Sequence, residues 1–220
     1  MPRIPFDVVA FDLDGTLADT APDLAASLNH VLVTLGRDAV PVDTVRQLVG
    51  HGARALLRKG LAATGAAPEE LVEAGLPRFL DYYGANICNG TTPYAGLGAA
   101  LDALRAQGVA LAICTNKSER LTRLLLDALG WAGRFDSMVG GDTLPVRKPD
   151  PAPLHEAIAR AGGGRAAFVG DSITDADTAK TARIPFVAVS FGFSDRPVAE
   201  LGADAIIDSY AELPAALARL

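Results

Sequence analysis

The sequence predicts an α/β fold: a Rossmann-like parallel sheet with helices on both faces, interrupted near its start by an all-helical insertion. Three observations carry this. The apolar run Val8-Val9-Ala10-Phe11 has strand length and stands alone at the beginning of the chain. From Thr92 onward, short apolar runs alternate with helical periodicities, which implies βαβ units, right-handed crossovers and a parallel sheet. Between Asp19 and Asn89 no strand pattern is found and the periodic segments are helical.

Taken in order, Val8 to Phe11 is the first strand and leads into Asp12-Leu13-Asp14-Gly15-Thr16. Thr20-Ala21-Pro22-Asp23 starts a helix, with proline and an acid in its first turn. Leu24, Leu28, Val31, Leu32 and Leu35 then recur at helical spacing until Gly36. Pro41-Val42-Asp43 and Gly50-His51-Gly52 punctuate the next pieces, and Leu56, Leu57 and Leu61 mark another helix. Pro68-Glu69-Glu70 begins one more, carrying Leu71, Leu76, Phe79, Leu80 and Tyr83. Leu97, Leu101 and Leu104 lie on a helix that stops at Gly108. Val109 to Cys114 is apolar throughout, as expected of a strand buried on both faces. The helix after it carries Leu121, Leu124, Leu125 and Leu129, with Asn116 or Ser118 as its cap. Ser137 to Val139, Ala166 to Val169, Phe186 to Val189 and Ala205 to Ile207 are the remaining strands, with helices from Pro151 to Ala161 and after Gly170 up to Ala182. Residues 1–17 and 91–220 are expected to form the core and residues 18–90 the helical insertion.

The 220 residues are half hydrophobic, enough for one large domain or a core with a small second one. A net charge of −6 argues against a nucleic-acid partner. No apolar stretch approaches the roughly 20 residues needed to cross a bilayer. The opening residues Met1 to Asp7 carry no signal-peptide apolar region. Cys88 and Cys114 show no framework spacing, and Cys114 reads as a small buried thiol. A cytoplasmic protein is expected, without membrane or nucleic-acid partners, as a monomer or homodimer.

Ligands of such sheets bind beyond the carboxyl ends of the strands, so the chemistry is expected at those ends. The first offers Asp12 and Asp14, which share a face if the strand continues. The second offers Thr115-Asn116-Lys117, the fourth Gly170-Asp171-Ser172 with Asp175 one helical turn later, and the loop after the third Arg147-Lys148-Pro149. Each alone has a plainer reading: Thr115 a helix cap, Lys148 or Arg147 a solvated lysine or arginine, Gly170-Asp171-Ser172 a turn. Together they bring carboxylates, a hydroxyl, backbone N–H groups and a lysine to one rim. That inventory fits phosphoryl transfer to a carboxylate, with Mg²⁺ offsetting the charge of phosphate and acids.

Those segments, in that order, resemble the haloacid dehalogenase superfamily: Asp12-Leu13-Asp14-Gly15-Thr16, Thr115, Lys148-Pro149, and Gly170-Asp171-Ser172-Ile173-Thr174-Asp175. The resemblance covers nearly the whole chain, and the helical insertion is similar to the superfamily's C1 cap. Val49-Gly50-His51-Gly52, Cys114-Thr115-Asn116-Lys117, Val139-Gly140-Gly141-Asp142-Thr143 and Arg147-Lys148-Pro149-Asp150-Pro151 further resemble the branch that hydrolyses 2-phosphoglycolate. The resemblance implies Asp12 as nucleophile and Asp14 as acid and base. It implies Mg²⁺ on Asp12, Asp171, the carbonyl of Asp14 and, directly or through orientation, Asp175. It implies Thr115, Asn116 and Lys148 on the phosphoryl group.

The rest of a small phosphorylated substrate must then be read by the insertion. Gly50-His51-Gly52-Ala53-Arg54 is its most suggestive stretch, with glycines and a helix start suited to an anion. His51, Gly52 and Arg54 are the expected contacts to a substrate carboxylate. Other readings stay open: a phosphatase acting on a sugar phosphate or nucleotide, or a β-phosphoglucomutase-like mutase. A phosphate- or metal-sensing receiver-like module also phosphorylates an aspartate, but needs neither the insertion nor Asp14. Asp14 also argues against a dehalogenase or a phosphonatase.

Overall fold

A parallel sheet organises the molecule, and its strand order determines which loops meet. The computed structural model describes residues 3–194 and 196–220; Met1 and Pro2 of the opening segment lie outside them. In chain order β1 (Val8–Phe11) and a two-residue strand β2 (Ala18–Asp19) precede α1 (Ala21–Thr34), α2 (Val42–Arg46), α3 (Ala53–Ala63) and α4 (Glu69–Ala85). Then come β3 (Thr92–Pro93), α5 (Leu97–Arg105), β4 (Ala110–Cys114), α6 (Glu119–Ala128), β5 (Ser137–Val139) and α7 (Ala152–Arg160). The chain continues through β6 (Ala166–Gly170), α8 (Ile173–Ala182), β7 (Phe186–Val189), β8 (Ala205–Ile207) and α9 (Leu213–Leu217).

The six-stranded sheet runs β5-β4-β1-β6-β7-β8, with all its pairs parallel. β1 is therefore central, and its end faces those of β4 and β6. Alternation along the strands divides the core in two. Val9 and Phe11 bury against α5, α6 and α9, whereas Val8 and Ala10 bury against α7 and α8. A third cluster is built from Leu24, Leu28, Val31 and Leu32 of α1, Leu57 and Leu61 of α3, and Val72, Phe79 and Tyr83 of α4. The helical insertion thus has an apolar centre of its own, to which the sheet side adds Leu121.

The two chain crossings into this helical layer are tied together. β2 pairs antiparallel with β3, Ala18 opposite Pro93 and Asp19 opposite Thr92. Asp23 was expected to serve the start of α1. Its buried carboxylate instead accepts hydrogen bonds from the Gly90 N–H at 2.8 Å, the Thr91 N–H at 2.8 Å and the Thr91 hydroxyl at 2.6 Å. Cap geometry differs from expectation at α6 as well. Ser118 occupies the N-cap, but its side chain makes no capping bond, and the Glu119 N–H donates to Asp142 Oδ1 at 2.7 Å. Among the described residues no helix is long and apolar enough to cross a membrane. Cys88 and Cys114 are both free, and Cys114 is buried at the end of β4.

Candidate active site

The ladder between β1 and β6 extends one residue past β1, because the Asp12 N–H donates to the Val169 carbonyl at 2.9 Å. Asp12 is thereby fixed at the rim with only 6% of its surface exposed. The next residues turn sharply: Gly15 has φ +83°, and a Cβ there would run into the Asp171 carboxylate and the Phe193 ring. Only glycine accommodates both the angle and the approach. The turn brings Thr16 onto Asp171, its hydroxyl donating to Oδ1 at 2.8 Å. The Phe193 N–H donates to the other oxygen of Asp171 at 2.6 Å, and the Tyr210 hydroxyl secures the Thr16 carbonyl at 2.7 Å.

Lys148 reaches this rim from the loop before α7 and is buried. Its ammonium lies 2.9 Å from Asp12 Oδ1 as an ion pair and makes its hydrogen bond to Asp175 Oδ1 at 2.6 Å. Asp175 also closes a capping box at the start of α8: Oδ2 accepts from the Ser172 N–H at 3.1 Å and the Ser172 hydroxyl at 2.6 Å. Both its oxygens are therefore engaged. Asp12 Oδ1, by contrast, is buried and meets the Lys148 ammonium as an ion pair without hydrogen-bond geometry.

Ligand atoms of Asp12, Asp171 and Asp175 all lie within 4.8 Å of one another, and all three residues are buried. Within this cluster three carboxylates face one ammonium, so two negative charges lack a counter-charge. Burial raises the Asp12 pKa from 3.8 to about 6; Lys148 opposes this, and Asp175 and Asp14 add to it. Burial, followed by Asp175 and Asp12, also raises Asp171 well above the ordinary carboxylate range, against the Phe193 and Thr16 hydrogen bonds. For Lys148 burial acts to lower the pKa, but Asp12 and Asp175 outweigh it and the ammonium is held charged. A surplus of buried carboxylate oxygens, one of them not hydrogen-bonded, fits a hard divalent cation.

Asp14 stands apart from that cluster. Its Oδ1 accepts from the Thr20 hydroxyl at 2.7 Å and lies 2.9 Å from the Lys117 ammonium. Lys117 is buried, and its ammonium also donates to the Tyr83 hydroxyl of α4 at 2.8 Å. Thr115 is buried at the end of β4, and its Oγ1 accepts from the Lys117 N–H at 3.3 Å. The Asn116 amide donates to the carbonyls of Gly50 and Lys148, both at 3.1 Å, so it bridges the insertion and the rim.

A cavity of about 200 Å³ lies between the rim and the helical layer. Asp12, Asp14, Thr115, Asn116 and Lys117 line it from below, and Leu56, Leu76, Phe79, Leu80 and Tyr83 from above. Gly52, Arg54 and Arg147 also line it. Gly52 has φ +83°, and a Cβ there would sit 3.2 Å from the Asn116 carbonyl and 3.7 Å from Arg147 Nη1. Arg54 differs from expectation. Its guanidinium is taken by Glu69 at 2.7 Å and Glu73 at 2.5 Å, acids of the first turns of α4 packed beside α3. His51 is exposed, with Nε2 3.4 Å from the Thr174 hydroxyl. Arg147, read from sequence as a solvated residue, is exposed but at the cavity, and among the described residues it has no ion-pair partner.

Thus the expected residues Asp12, Asp171, Asp175 and Lys148 converge, with Asp14, Thr115 and Asn116 beside them. Sequence reasoning named Thr16 and Lys117 only as members of their segments and Thr20 and Tyr83 only as parts of helices, and gave Phe193 no place in the site. Lys117 had a signal, a lysine two residues past the strand-end threonine; Tyr83 and Phe193 had none.

The model of the haloacid dehalogenase-like hydrolase family matches residues 9–189, most of the chain and every strand end described above. The chain belongs to the haloacid dehalogenase-like hydrolases. Among curated relatives of this hydrolase, the phosphoglycolate phosphatase of Mesorhizobium japonicum is 45% identical over 214 residues, 96% of this chain and 94% of its own length. That of Caulobacter vibrioides is 44% identical over 211 residues, 94% of this chain and 89% of its own. Among solved structures, one described as a predicted phosphoglycolate phosphatase from Haemophilus somnus superimposes with a TM-score of 0.89 at 32% identity, covering 96% of this chain and 97% of that one. The hydrolase is a phosphatase by this kinship.

Proposed function

We propose that this chain hydrolyses 2-phosphoglycolate to glycolate and phosphate through an aspartyl phosphate on Asp12. The observation that carries the reading is the Asp12 carboxylate, buried at the floor of a cavity beside Lys148, Asp171 and Asp175, with Oδ1 paired to Lys148 but not hydrogen-bonded. Kinship to phosphatases named for phosphoglycolate supports the substrate.

In the first displacement an Asp12 oxygen attacks phosphorus, the bond from phosphorus to the glycolate oxygen breaks, and Asp14 protonates the departing alkoxide. In the second, water attacks phosphorus, Asp14 takes its proton, and the bond to Asp12 breaks to free the carboxylate. Lys148 orients Asp12 and adds positive charge at the phosphoryl oxygens. Thr115 and the Asn116 N–H receive those oxygens, and the start of α6 adds its favourable dipole. Asp12, Asp171 and the Asp14 carbonyl would hold Mg²⁺, whose charge offsets that of phosphate and carboxylates. Asp175, whose Oδ1 accepts from Lys148 and whose Oδ2 closes the capping box, orients Lys148 and the start of α8. We take residues 18–90 as a cap that keeps water from the first step. The substrate carboxylate faces the Gly50–Arg54 stretch: His51 and Gly52 border it, Arg54 carries its charge against two glutamates, and Arg147 brings a guanidinium with no acid partner among the described residues.

The test offers purified protein with Mg²⁺ a panel of 2-phosphoglycolate, hexose phosphates and nucleotides, alongside an Asp12→Asn variant. Phosphate release is expected chiefly from 2-phosphoglycolate and lost in the variant. Preference for hexose phosphates overturns the substrate, wild-type turnover by the variant overturns the nucleophile, and release from no ester overturns the activity.

A further inference from the structure

We propose that Lys117 and Tyr83 are positioning residues for Asp14: the lysine ammonium, held by the tyrosine hydroxyl of the helical insertion, fixes one carboxylate oxygen and leaves the other for the reacting atoms. This rests on the proton-transfer role of Asp14 proposed above and adds what sets that carboxylate in place.

A charged lysine is costly to bury and persists only when paired and hydrogen-bonded. Lys117 is nearly as enclosed as Lys148, with 4% of its side chain exposed against 2%, yet it pairs with neither Asp12 nor the three-carboxylate cluster. Its partners are Asp14 Oδ1 at 2.9 Å and the Tyr83 hydroxyl at 2.8 Å, and its ammonium also stands 4.5 Å from the centre of the Tyr83 ring. Its backbone is held at both ends of the residue, the N–H on Thr115 Oγ1 at 3.3 Å and the carbonyl by the Gly141 N–H at 2.8 Å. Thr20 donates to the same Asp14 oxygen at 2.7 Å. Two donors on Oδ1 stop rotation of the carboxylate and leave Oδ2 free to give and take a proton. Burial, opposed by Lys117 and aided by Asp14, lifts the Tyr83 pKa to about 12, so the hydroxyl is neutral and serves as acceptor to the ammonium.

The arrangement joins three separate pieces of chain: the turn after β1, the loop after β4, and α4 of the insertion. A proton donor must lie within hydrogen-bond reach of its target, and small misplacements cost large factors in rate. Asp14 is therefore set by a residue of the insertion acting through Lys117, whereas Asp12 is set by Lys148 and α8.

The experiment compares Lys117→Met, Tyr83→Phe and Asp14→Asn on 2-phosphoglycolate and on para-nitrophenyl phosphate, whose leaving group departs without a proton. On 2-phosphoglycolate kcat is expected to fall about 10²-fold in Lys117→Met and about 10-fold in Tyr83→Phe, with KM within about twofold of wild type. On the aryl ester the first displacement keeps its rate while release of phosphate from Asp12 slows. Stopped-flow traces should then show a burst of nitrophenolate approaching one equivalent per enzyme. Tyr83→Phe removes a single hydroxyl and covers the case in which Lys117→Met fails to fold. A rise in KM with kcat unchanged overturns the proposal, because Lys117 then grips substrate. Equal loss on both esters without a burst overturns it as well, because the role is then structural. A crippled Asp14→Asn beside wild-type rates in the other two variants overturns the positioning role alone. Wild-type turnover of 2-phosphoglycolate by Asp14→Asn overturns the role of Asp14 itself, and this inference with it.

Discussion

Replacing the buried nucleophile candidate with its neutral isostere is expected to stabilise the metal-free protein. Burial holds the Asp12 pKa at about 6 rather than 3.8, so the fold favours the protonated carboxyl. Its favourable contribution is full below about pH 4, declines as pH rises through 6, and is gone at pH 7.5, where the fold bears the whole cost of the anion. The interval from 3.8 to about 6 corresponds to about 3 kcal/mol at about 1.4 kcal/mol per pH unit. Asp12→Asn removes that anion, while Lys148 keeps Asp175 as its partner at 2.6 Å. With a chelator at pH 7.5 the variant should exceed wild type by about 2–3 kcal/mol, or about 5–10 °C in Tm for a chain of this size. The gain should vanish by about pH 4. Saturating Mg²⁺ should close much of the gap by stabilising wild type more than the variant, since a ligand at 100 times its Kd contributes about 2.7 kcal/mol. Differential scanning fluorimetry across pH 4–8, with chelator and with Mg²⁺, reads all three effects. A variant less stable than wild type in chelator at pH 7.5, or a gain that does not change with pH, would refute the argument from burial.

Two further perturbations follow from the same geometry. Lys148→Met strips Asp12 and Asp175 of their shared counter-charge, and should cost about 3–5 kcal/mol in urea unfolding at pH 7.5, with the loss shrinking as Asp12 protonates below about pH 6. Asp23→Ala leaves the buried N–H and hydroxyl of Thr91 without their acceptor; unfolding should reveal a loss of about 2–3 kcal/mol.

What the sequence discloses here depends on how local the cause is. Ala110–Cys114 and Ala166–Gly170 are legible because a strand buried on both faces is apolar at every position. The helical insertion is legible because Leu24, Leu28, Val31 and Leu32 repeat with the helical period. Asp12, Asp14, Asp171 and Asp175 are legible because parallel-sheet topology sends strand ends to one rim, and carboxylates at such ends have few structural uses. Side chains whose partners are set by packing between elements are not legible. Asp23 meets Thr91 across 68 residues, and Tyr83 meets Lys117 across 34. Arg54 reads as an anion clamp because Gly50-His51-Gly52 precedes it. The packing of α3 on α4 turns it instead to Glu69 and Glu73, 15 and 19 residues away. Arg147 shows the reverse: beside Lys148 it reads as a surface residue, yet the loop carries it to the edge of the cavity.

The two buried lysines divide the site in a way that bears on how closure and chemistry are coupled. Lys148 ties Asp12 to Asp175, and Asp175 completes the capping box of α8 with Ser172, so the proposed nucleophile is referenced through its side-chain partners to the sheet side. Lys117 ties Asp14 to Tyr83, so the proposed proton shuttle is referenced to the insertion. Displacing the insertion would leave the Asp12–Lys148 pair intact and release Lys117 from its tyrosine. The steps that need a proton would then fail before the steps that need a nucleophile. Asn116 adds a second tie, since its amide grips the Gly50 carbonyl of the insertion and the Lys148 carbonyl of the core together. Both ties leave the loop after β4, the segment whose Thr115 is proposed to receive the phosphoryl oxygens. A phosphate seated there would lie within the same few residues that hold the insertion, so binding and closure draw on one loop and should not vary independently.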